Sequence, residues 1–363
     1  MKVLITILDA ITETSMPFNE FVLYRANHFK DEKQILIVCD TKKELPKVQI
    51  PVSITIDRVG WHIGNLRKAI KRHIKECELR NEPYAIHMHQ NKSAALSFIA
   101  MAGTKFKRKV LFTTHSTFSG YQFHNKVQSF FCGLEANYVV CCSNSAFAGY
   151  PQLLKMIKSK HAYAIQNGVD TERIDTFLTT KNKTSSGKML FVYVARMIPV
   201  KNHDFLINVI KRCEDCVHFV FIGATNPCIM KRIDAEGLNN RITCTGLIPR
   251  NQVFELLQKS DVYISSSKLE GLPVSLLEGM YVGLPAILSN IPQHAEVSCN
   301  DDFVQLLPLV EMKWGKAIND LVSRRESLTQ LAVDSKNYIR ENFSLKRMHE
   351  QYNKIIETLR NEF

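Results

Sequence analysis

Two glutamates with seven residues between them stand in Glu270-Gly271-Leu272-Pro273-Val274-Ser275-Leu276-Leu277-Glu278, a spacing that lets two carboxylates grip a polyol at two points. The segment follows the apolar run 261–266 and leads into an apolar helical pattern ending near Gly283-Leu284-Pro285. Glu270 therefore falls in a loop, where it can accept hydrogen bonds from sugar hydroxyls. Glu278 falls about one turn into a helix, placed to accept both hydroxyls of a ribose. Between them, the amides around Val274 and Ser275 at the new helix N-terminus offer a seat for a diphosphate. A helix start decorated with acids for its dipole would explain one glutamate in the first turn, but not the pair and its Gly-Leu-Pro turn.

A basic pair lies about 70 residues earlier, Arg196 and Lys201 in Ala195-Arg196-Met197-Ile198-Pro199-Val200-Lys201-Asn202, directly after the apolar run 189–195. Arginine offers a bidentate fork and lysine a point charge, and together they offset the charge of a departing diphosphate. Alone, such a pair is more often solvated surface; the glutamate segment gives it a partner. His115 follows the run 109–114, and His87 and His89 end another. The two closely spaced histidines could suggest a metal, but no carboxylate partner follows them and no Asp-x-Asp occurs; the adjacent Asp301 and Asp302 read as solvated. No metal and no cofactor are expected, Arg196 and Lys201 doing the work of a cation. Cys213 and Cys216 form a lone CxxC without a second ligand pair, so the ten cysteines read as reduced, buried or incidental thiols.

The elements that must carry these residues alternate. Strand-like runs at 2–8, 34–39, 83–88, 109–114, 137–142 and 161–166 are separated by helical patterns. After the polar stretch Thr179–Lys188 a second series follows at 189–195, 217–223, 241–245, 261–266 and 285–289. Continuous apolar strands in βα alternation imply parallel sheets covered on both faces, and two series imply two Rossmann-like domains. The expected division is 1–172 and 173–343, with a terminal helix at about 344–363 whose Met348, Tyr352, Ile355, Ile356 and Leu359 share one face. Ligands of such sheets bind outside the carboxyl ends of the strands, so a cleft between two such domains is the expected site.

The bulk numbers agree. The 363 residues are 45% hydrophobic and 23% charged, which suits an ordinary globular chain of two domains. No apolar run reaches 18 residues, and the opening Met1-Lys2-Val3-Leu4-Ile5 reads as a strand rather than a signal peptide, which points to the cytoplasm. The net charge of +12 is uneven: residues 1–172 hold 23 Lys+Arg against 14 Asp+Glu, and the remainder 24 against 21. A basic N-terminal half suggests a nucleic acid or an anionic membrane surface. Trp61–Arg80 places Ile63, Leu66, Ile70, Ile74 and Cys77 on one helical face and Arg67, Lys68, Lys71, Arg72 and Lys75 around the other. That face, with Lys105-Phe106-Lys107-Arg108-Lys109, is either ordinary solvated surface or a membrane contact.

Taken together, these segments resemble the family-4 retaining glycosyltransferases of the GT-B fold, of the bacterial surface-polysaccharide type. ARMIPVKN is similar to that family's Arg-x4-Lys clamp and EGLPVSLLEGM to its Glu-x7-Glu motif. Gln166-Asn167-Gly168-Val169-Asp170 resembles the usual end of the N-terminal domain, and Gly246-Leu247-Ile248-Pro249 a loop near the nucleotide base. The resemblance implies two Rossmann-like domains facing across a cleft, with the terminal helix crossing back to the N-terminal, acceptor-binding one. It implies metal-independent transfer of a hexose, with retention, from a nucleotide diphosphate sugar (a UDP-sugar favoured) to a hydroxyl of a glycan or lipid-linked acceptor. Glu270, His115, Arg196 and Lys201 would be catalytic. Donor contacts would add Gly271, Leu272, Val274, Ser275, Glu278 and Leu247, with Thr14, Ser15 and His89 on the acceptor side. Where relatives carry a glycine-rich loop after the first strand, this chain has Asp9-Ala10-Ile11-Thr12-Glu13-Thr14-Ser15-Met16-Pro17. The rival readings are a nucleotide-sugar epimerase of the same fold and a basic nucleic-acid-binding protein; no nucleic acid is expected, and the enzyme would be cytoplasmic or peripheral on the inner face of the plasma membrane.

Overall fold

Val3-Leu4-Ile5-Thr6-Ile7-Leu8 is an unbroken run of β-branched and aliphatic residues, the pattern of a strand buried on both faces. In the computed structural model of the chain it forms β1 (Lys2–Leu8) with every residue from Val3 buried. The structure describes residues 1–12, 17–41, 50–104, 108–178, 187–298, 303–325 and 332–362. These fall into two compact units, Met1–Gly168 with Leu345–Phe363, and Val169–Ser344.

In the first unit β1 joins β2 (Glu32–Val38), β3 (Ile54–Arg58), β4 (Tyr84–Met88), β5 (Val110–Thr114), β6 (Tyr138–Cys141) and β7 (Ala162–Ala164). They form one sheet in the order β3-β2-β1-β4-β5-β6-β7, each pair parallel. Four helices pack on one face: α1 (Ile63–Leu79), α2 (Asn91–Met101), α3 (Phe123–Glu135) and α4 (Gln152–Ile157). They insert Leu66, Ile70, Phe98, Cys132 and Leu154 against Ile5, Ile86 and Phe112. Gly133 on α3 lacks the Cβ that would stand 3.0 Å from the Leu154 side chain, and so admits α4 closely.

The terminal helix belongs to this first unit. In α8 (Leu345–Glu362), Met348, Tyr352, Ile356 and Leu359 are buried with Leu4, Ala85, Leu111 and Val140, the residues alternating with those under α1 to α4. A buried ion cluster ties it down: Glu32 accepts from Arg25 at 2.7 and 2.8 Å and from Arg360, which also donates to the Val3 carbonyl at 3.1 Å.

The second unit repeats the logic with β8 (Met189–Val194), β9 (Val217–Ile222), β10 (Ile242–Cys244), β11 (Val262–Ser265), β12 (Ala286–Ser289) and β13 (Val304–Leu307) in the order β10-β9-β8-β11-β12-β13. Its site helices are α5 (His203–Ile210), α6 (Arg250–Lys259) and α7 (Val274–Val282). The strand order reverses between β1 and β4 in the first sheet and between β8 and β11 in the second, and such reversals open the crevice where α/β sheets take ligands.

Three expectations need correction. Edge strands β3 and β13 carry no continuous apolar run, and the sequence reading passed over both. Ile63, expected on the buried face, is exposed in the first turn of α1, ahead of where the helix meets the sheet. Lys109 is buried with its ammonium on the Arg360 carbonyl at 3.0 Å, and Arg108 is paired with Glu135, so neither extends a free basic patch; Lys105, Phe106 and Lys107 lie outside the described residues. Among the described residues no helix is long and apolar enough to cross a membrane.

Candidate active site

The loops after β8, β9 and β10 are laced together. Ala195 N–H donates to the Ile222 carbonyl at 2.9 Å, Met197 to Ala224 at 2.8 Å, and Gly223 to Gly246 at 3.1 Å. Gly223 has φ +142, and a Cβ there would overlap the Ala195 carbonyl, 2.7 Å from its carbon and 3.2 Å from the Arg196 nitrogen. Glycine is what permits this crossing, and the crossing fixes where Arg196 leaves the sheet. The Arg196 side chain is exposed and makes no hydrogen bond or ion pair among the described residues.

From there Pro199–Lys201 form a single 3₁₀ turn, and Asn202 takes a left-handed φ of +58 to start α5. Asparagine tolerates that conformation better than most residues. The turn is pinned across the strand reversal: Tyr193 donates to the Lys201 carbonyl at 3.0 Å, and Ser266, just after β11, donates to the Asn202 carbonyl at 2.9 Å. Lys201 is thereby brought onto Glu270, its ammonium reaching both carboxylate oxygens, Oε2 at 2.5 Å. Ser267 donates to Glu270 Oε1 at 2.6 Å and shares a 2.7 Å hydrogen bond with Tyr193. The buried tyrosine thus holds the lysine backbone, and Ser267, in contact with its hydroxyl, holds the glutamate. Side-chain exposures of 20% for Lys201 and 11% for Glu270 leave the pair reachable by a ligand. Behind it the buried His294 holds the Ser289 carbonyl at 2.8 Å; burial lowers its pKa and keeps it neutral.

Helix α7 begins where the loop ends. Ser275 donates to the Val194 carbonyl at 3.1 Å and meets Tyr263 at 2.8 Å, so the helix start is fixed to the last residue of β8. Gly279 lets the helix lie on the Tyr263 ring, since a Cβ there would stand 2.7 Å from it. The expected pair of free amides is corrected in part: Val274 N–H is taken by the Leu272 carbonyl at 2.9 Å, and Leu276 and Leu277 donate to Pro273. Ser275 is left to supply the outward amide. Leu272 is a core residue, Gly271 is half-buried, and Leu247 is exposed in the loop after β10. Glu278 is buried and ion-paired with Arg250, the first residue of α6 and one the sequence reading missed. The available signal was chemical: a carboxylate on the inner face of an apolar helix requires a cation.

His87, His89 and His115 lie in the first unit. His89 Nδ1 and His115 Nε2 share a hydrogen bond of 3.0 Å at the ends of β4 and β5. Burial pushes the His115 pKa down to about 4 and that of His89 well below the usual range, so the pair is neutral near pH 7. His87 lies within β4, bonded to Thr113 at 2.8 Å and packed on Phe21, as a core residue would be. No group of three or more His, Cys, Asp or Glu suited to a metal occurs among the described residues. Thr14, Ser15, Asp301 and Asp302 lie outside them. Asp9 accepts from the Ser93 amide at 3.0 Å, so the loop after β1 caps α2.

Two family profiles tile the chain: "Glycosyltransferase Family 4" over residues 22–173 and "Glycosyl transferases group 1" over residues 175–338. The chain belongs to the family-4 glycosyltransferases. Among curated members, the capsular polysaccharide biosynthesis glycosyltransferase CapH of Staphylococcus aureus is 28% identical over 209 residues, covering 55% of this chain and 55% of that protein. An Escherichia coli UDP-Gal:alpha-D-GlcNAc-diphosphoundecaprenol alpha-1,3-galactosyltransferase is 31% identical over 142 residues, 35% of this chain and 36% of that enzyme. The alignments thus span about half or less of those two relatives. Anabaena HepE, solved with UDP and glucose, superposes with a TM-score of 0.77 at 14% identity over 99% of this chain and 100% of its own. At that identity the likeness speaks for the fold, and the two parallel-sheet α/β units are those of the GT-B glycosyltransferases.

Proposed function

We propose that this family-4 member transfers a hexosyl group from a nucleotide diphosphate sugar, a UDP-sugar by preference, to a hydroxyl of a glycan or lipid-linked acceptor in cell-surface polysaccharide synthesis. The observation that carries the reading is the Lys201–Glu270 pair, assembled across the β8/β11 reversal, with the exposed Arg196 in the same loop after β8. In this reading the 173–343 region binds the donor, and residues 1–172 with the terminal helix bind the acceptor. Lys201 and Arg196 take the charge that develops on the departing diphosphate, and Ser275 adds an amide at the start of α7. Glu270 keeps one lone pair free, on Oε2, to orient a sugar hydroxyl, Glu278 faces the ribose, and His115, held neutral by burial and set by His89, hydrogen-bonds near the transferred sugar. Transfer proceeds with retention and without a metal, Arg196 and Lys201 serving as the cation.

Support for uridine comes from the UDP in the HepE complex and from the donor named for the E. coli galactosyltransferase. The capsular role of CapH and the lipid diphosphate named for the E. coli enzyme support a surface glycan and a lipid-borne acceptor. The basic outer face of α1 supports an anionic membrane as partner, at the inner face of the plasma membrane. A thermal-shift panel of UDP-, GDP- and ADP-sugars tests the donor, since a ligand at 100 times its dissociation constant stabilises by about 2.7 kcal/mol. Nucleotide release that requires an added acceptor supports transfer, whereas a changed sugar without acceptor would make the protein an epimerase.

A further inference from the structure

The helical layer over the first sheet carries an apolar surface that folding leaves uncovered. On α3, Phe123, Val127 and Leu134 point outward, Phe123 being 82% exposed. On α4, Leu153, Met156 and Ile157 do the same, and α2 adds Ile99. These helices are neighbours: α2 packs beside α3, and α3 beside α4 through the close approach at Gly133. Between α2 and α3 runs a groove of about 310 Å³ walled by Leu96, Ile99, Val127 and Phe131, with Lys92 and Gln128 as its polar lining. Soluble monomers rarely leave a contiguous apolar area of this kind open without a use for it.

Cations flank the patch. Lys68, Lys71 and Lys75 lie exposed on α1, Lys92 lies over the Trp61 ring at 3.8 Å, and Lys155 stands on α4 itself. Of the acids around this layer, Glu135 is engaged by Arg108 and Asp57 by Arg72; the exceptions are on α1, the exposed Glu78 and Glu76, which reaches only His73 at 3.8 Å. An apolar ridge bordered by lysines complements the interface of an anionic bilayer, in which side chains enter the acyl boundary and ammonium groups meet lipid phosphates. A second copy of the chain is a poorer occupant, because a two-fold contact through this face would set lysines against lysines.

We propose that the outer face of α2, α3 and α4 inserts into an anionic membrane, the groove between α2 and α3 receiving a hydrocarbon segment. This deepens the membrane-partner reading above and does not depend on the donor site. It moves the anchoring element from the basic face of α1 to the apolar ridge, leaving α1 an electrostatic flank.

Co-sedimentation of the full chain with vesicles of phosphatidylcholine, with and without phosphatidylglycerol, tests it. The variant Phe123→Ser, Val127→Ser, Met156→Ser, Ile157→Ser should bind phosphatidylglycerol vesicles at least tenfold more weakly while keeping the wild-type melting temperature and thermal shift with UDP. All four positions are exposed, so the fold should tolerate them. The variant Lys68→Glu, Lys71→Glu, Lys75→Glu tests the α1 reading separately. Wild-type binding by the serine variant, with release of the glutamate variant, would overturn insertion and leave an electrostatic contact standing. Absence of vesicle binding by the wild type would remove both. A wild-type dimer that the serine substitutions split, without vesicle binding, would make the ridge a self-contact and overturn the proposal.

Discussion

Replacing Gly223 by alanine should damage the candidate donor site through the backbone alone. At φ +142 an L-residue is strained by about 1–3 kcal/mol. The added Cβ would also overlap the Ala195 carbonyl and stand 3.2 Å from the Arg196 nitrogen. Both obstacles are backbone, so no rotamer change relieves them, and the strand end carrying Arg196 must shift, which adds roughly 1–3 kcal/mol. A total of about 2–6 kcal/mol corresponds to a melting temperature lowered by roughly 4–24 °C for a unit of this size. A displacement of about 1 Å in a charged donor costs on the order of 100-fold in turnover. Gly237→Ala is the control: its φ is +66, and nothing lies within 4 Å of the added Cβ. That variant should lose only about 1–2 kcal/mol and keep its turnover. Differential scanning fluorimetry and donor-consumption kinetics on both variants decide the matter. If Gly223→Ala melts no lower than Gly237→Ala and turns over like the wild type, the argument that this crossing positions Arg196 is wrong.

Lys201→Ala should lower kcat about 100- to 1000-fold in steady-state kinetics, because one charge-stabilising donor is lost. Glu278→Ala should mainly raise KM, since contacts to a ribose are the same before and during transfer. Activity should survive a saturating chelator; loss on chelation with recovery on added Mg²⁺ or Mn²⁺ would reveal a missed metal requirement. In the first unit, burial alone would raise the Glu32 carboxyl, but Arg25 and then Arg360 outweigh it and hold its pKa below the usual value. The stability this confers is present above the unfolded pKa of about 4.5 and is lost as pH falls through the depressed folded value. Glu32→Gln, which leaves two buried guanidinium groups facing a neutral amide, should cost about 3–5 kcal/mol at pH 7 in urea denaturation and flatten that acid dependence.

How much the sequence discloses follows from whether a signal is local. Uninterrupted runs such as Val3–Leu8 and Phe191–Val194 mark buried parallel strands because no solvated face breaks them. Lys201 and Glu270 are legible because each stands in its own short motif at a strand end, and the sheet order then brings them together. The stripe Met348-Tyr352-Ile356-Leu359 is periodic and is buried as that periodicity requires. What sequence leaves out is tertiary. Arg250 meets Glu278 only because α6 lies against α7, and Ser267 binds Glu270 because Tyr193 holds it from another strand. The Val274 amide is lost to a local turn at Leu272 that a helix-start pattern does not reveal. The apolar ridge on α3 and α4 is not legible in any one segment, because it arises from packing neighbouring helices side by side.

The most direct test of the donor site is calorimetric titration of UDP, GDP and ADP into the wild-type chain, Arg196→Ala and Lys201→Ala. The account predicts one preferred nucleotide diphosphate binding at a single site, with affinity at least tenfold weaker in either variant because each loses a charge-assisted contact to phosphate. Wild-type affinity in both variants, or no binding of any of the three nucleotides to the wild type, would contradict it.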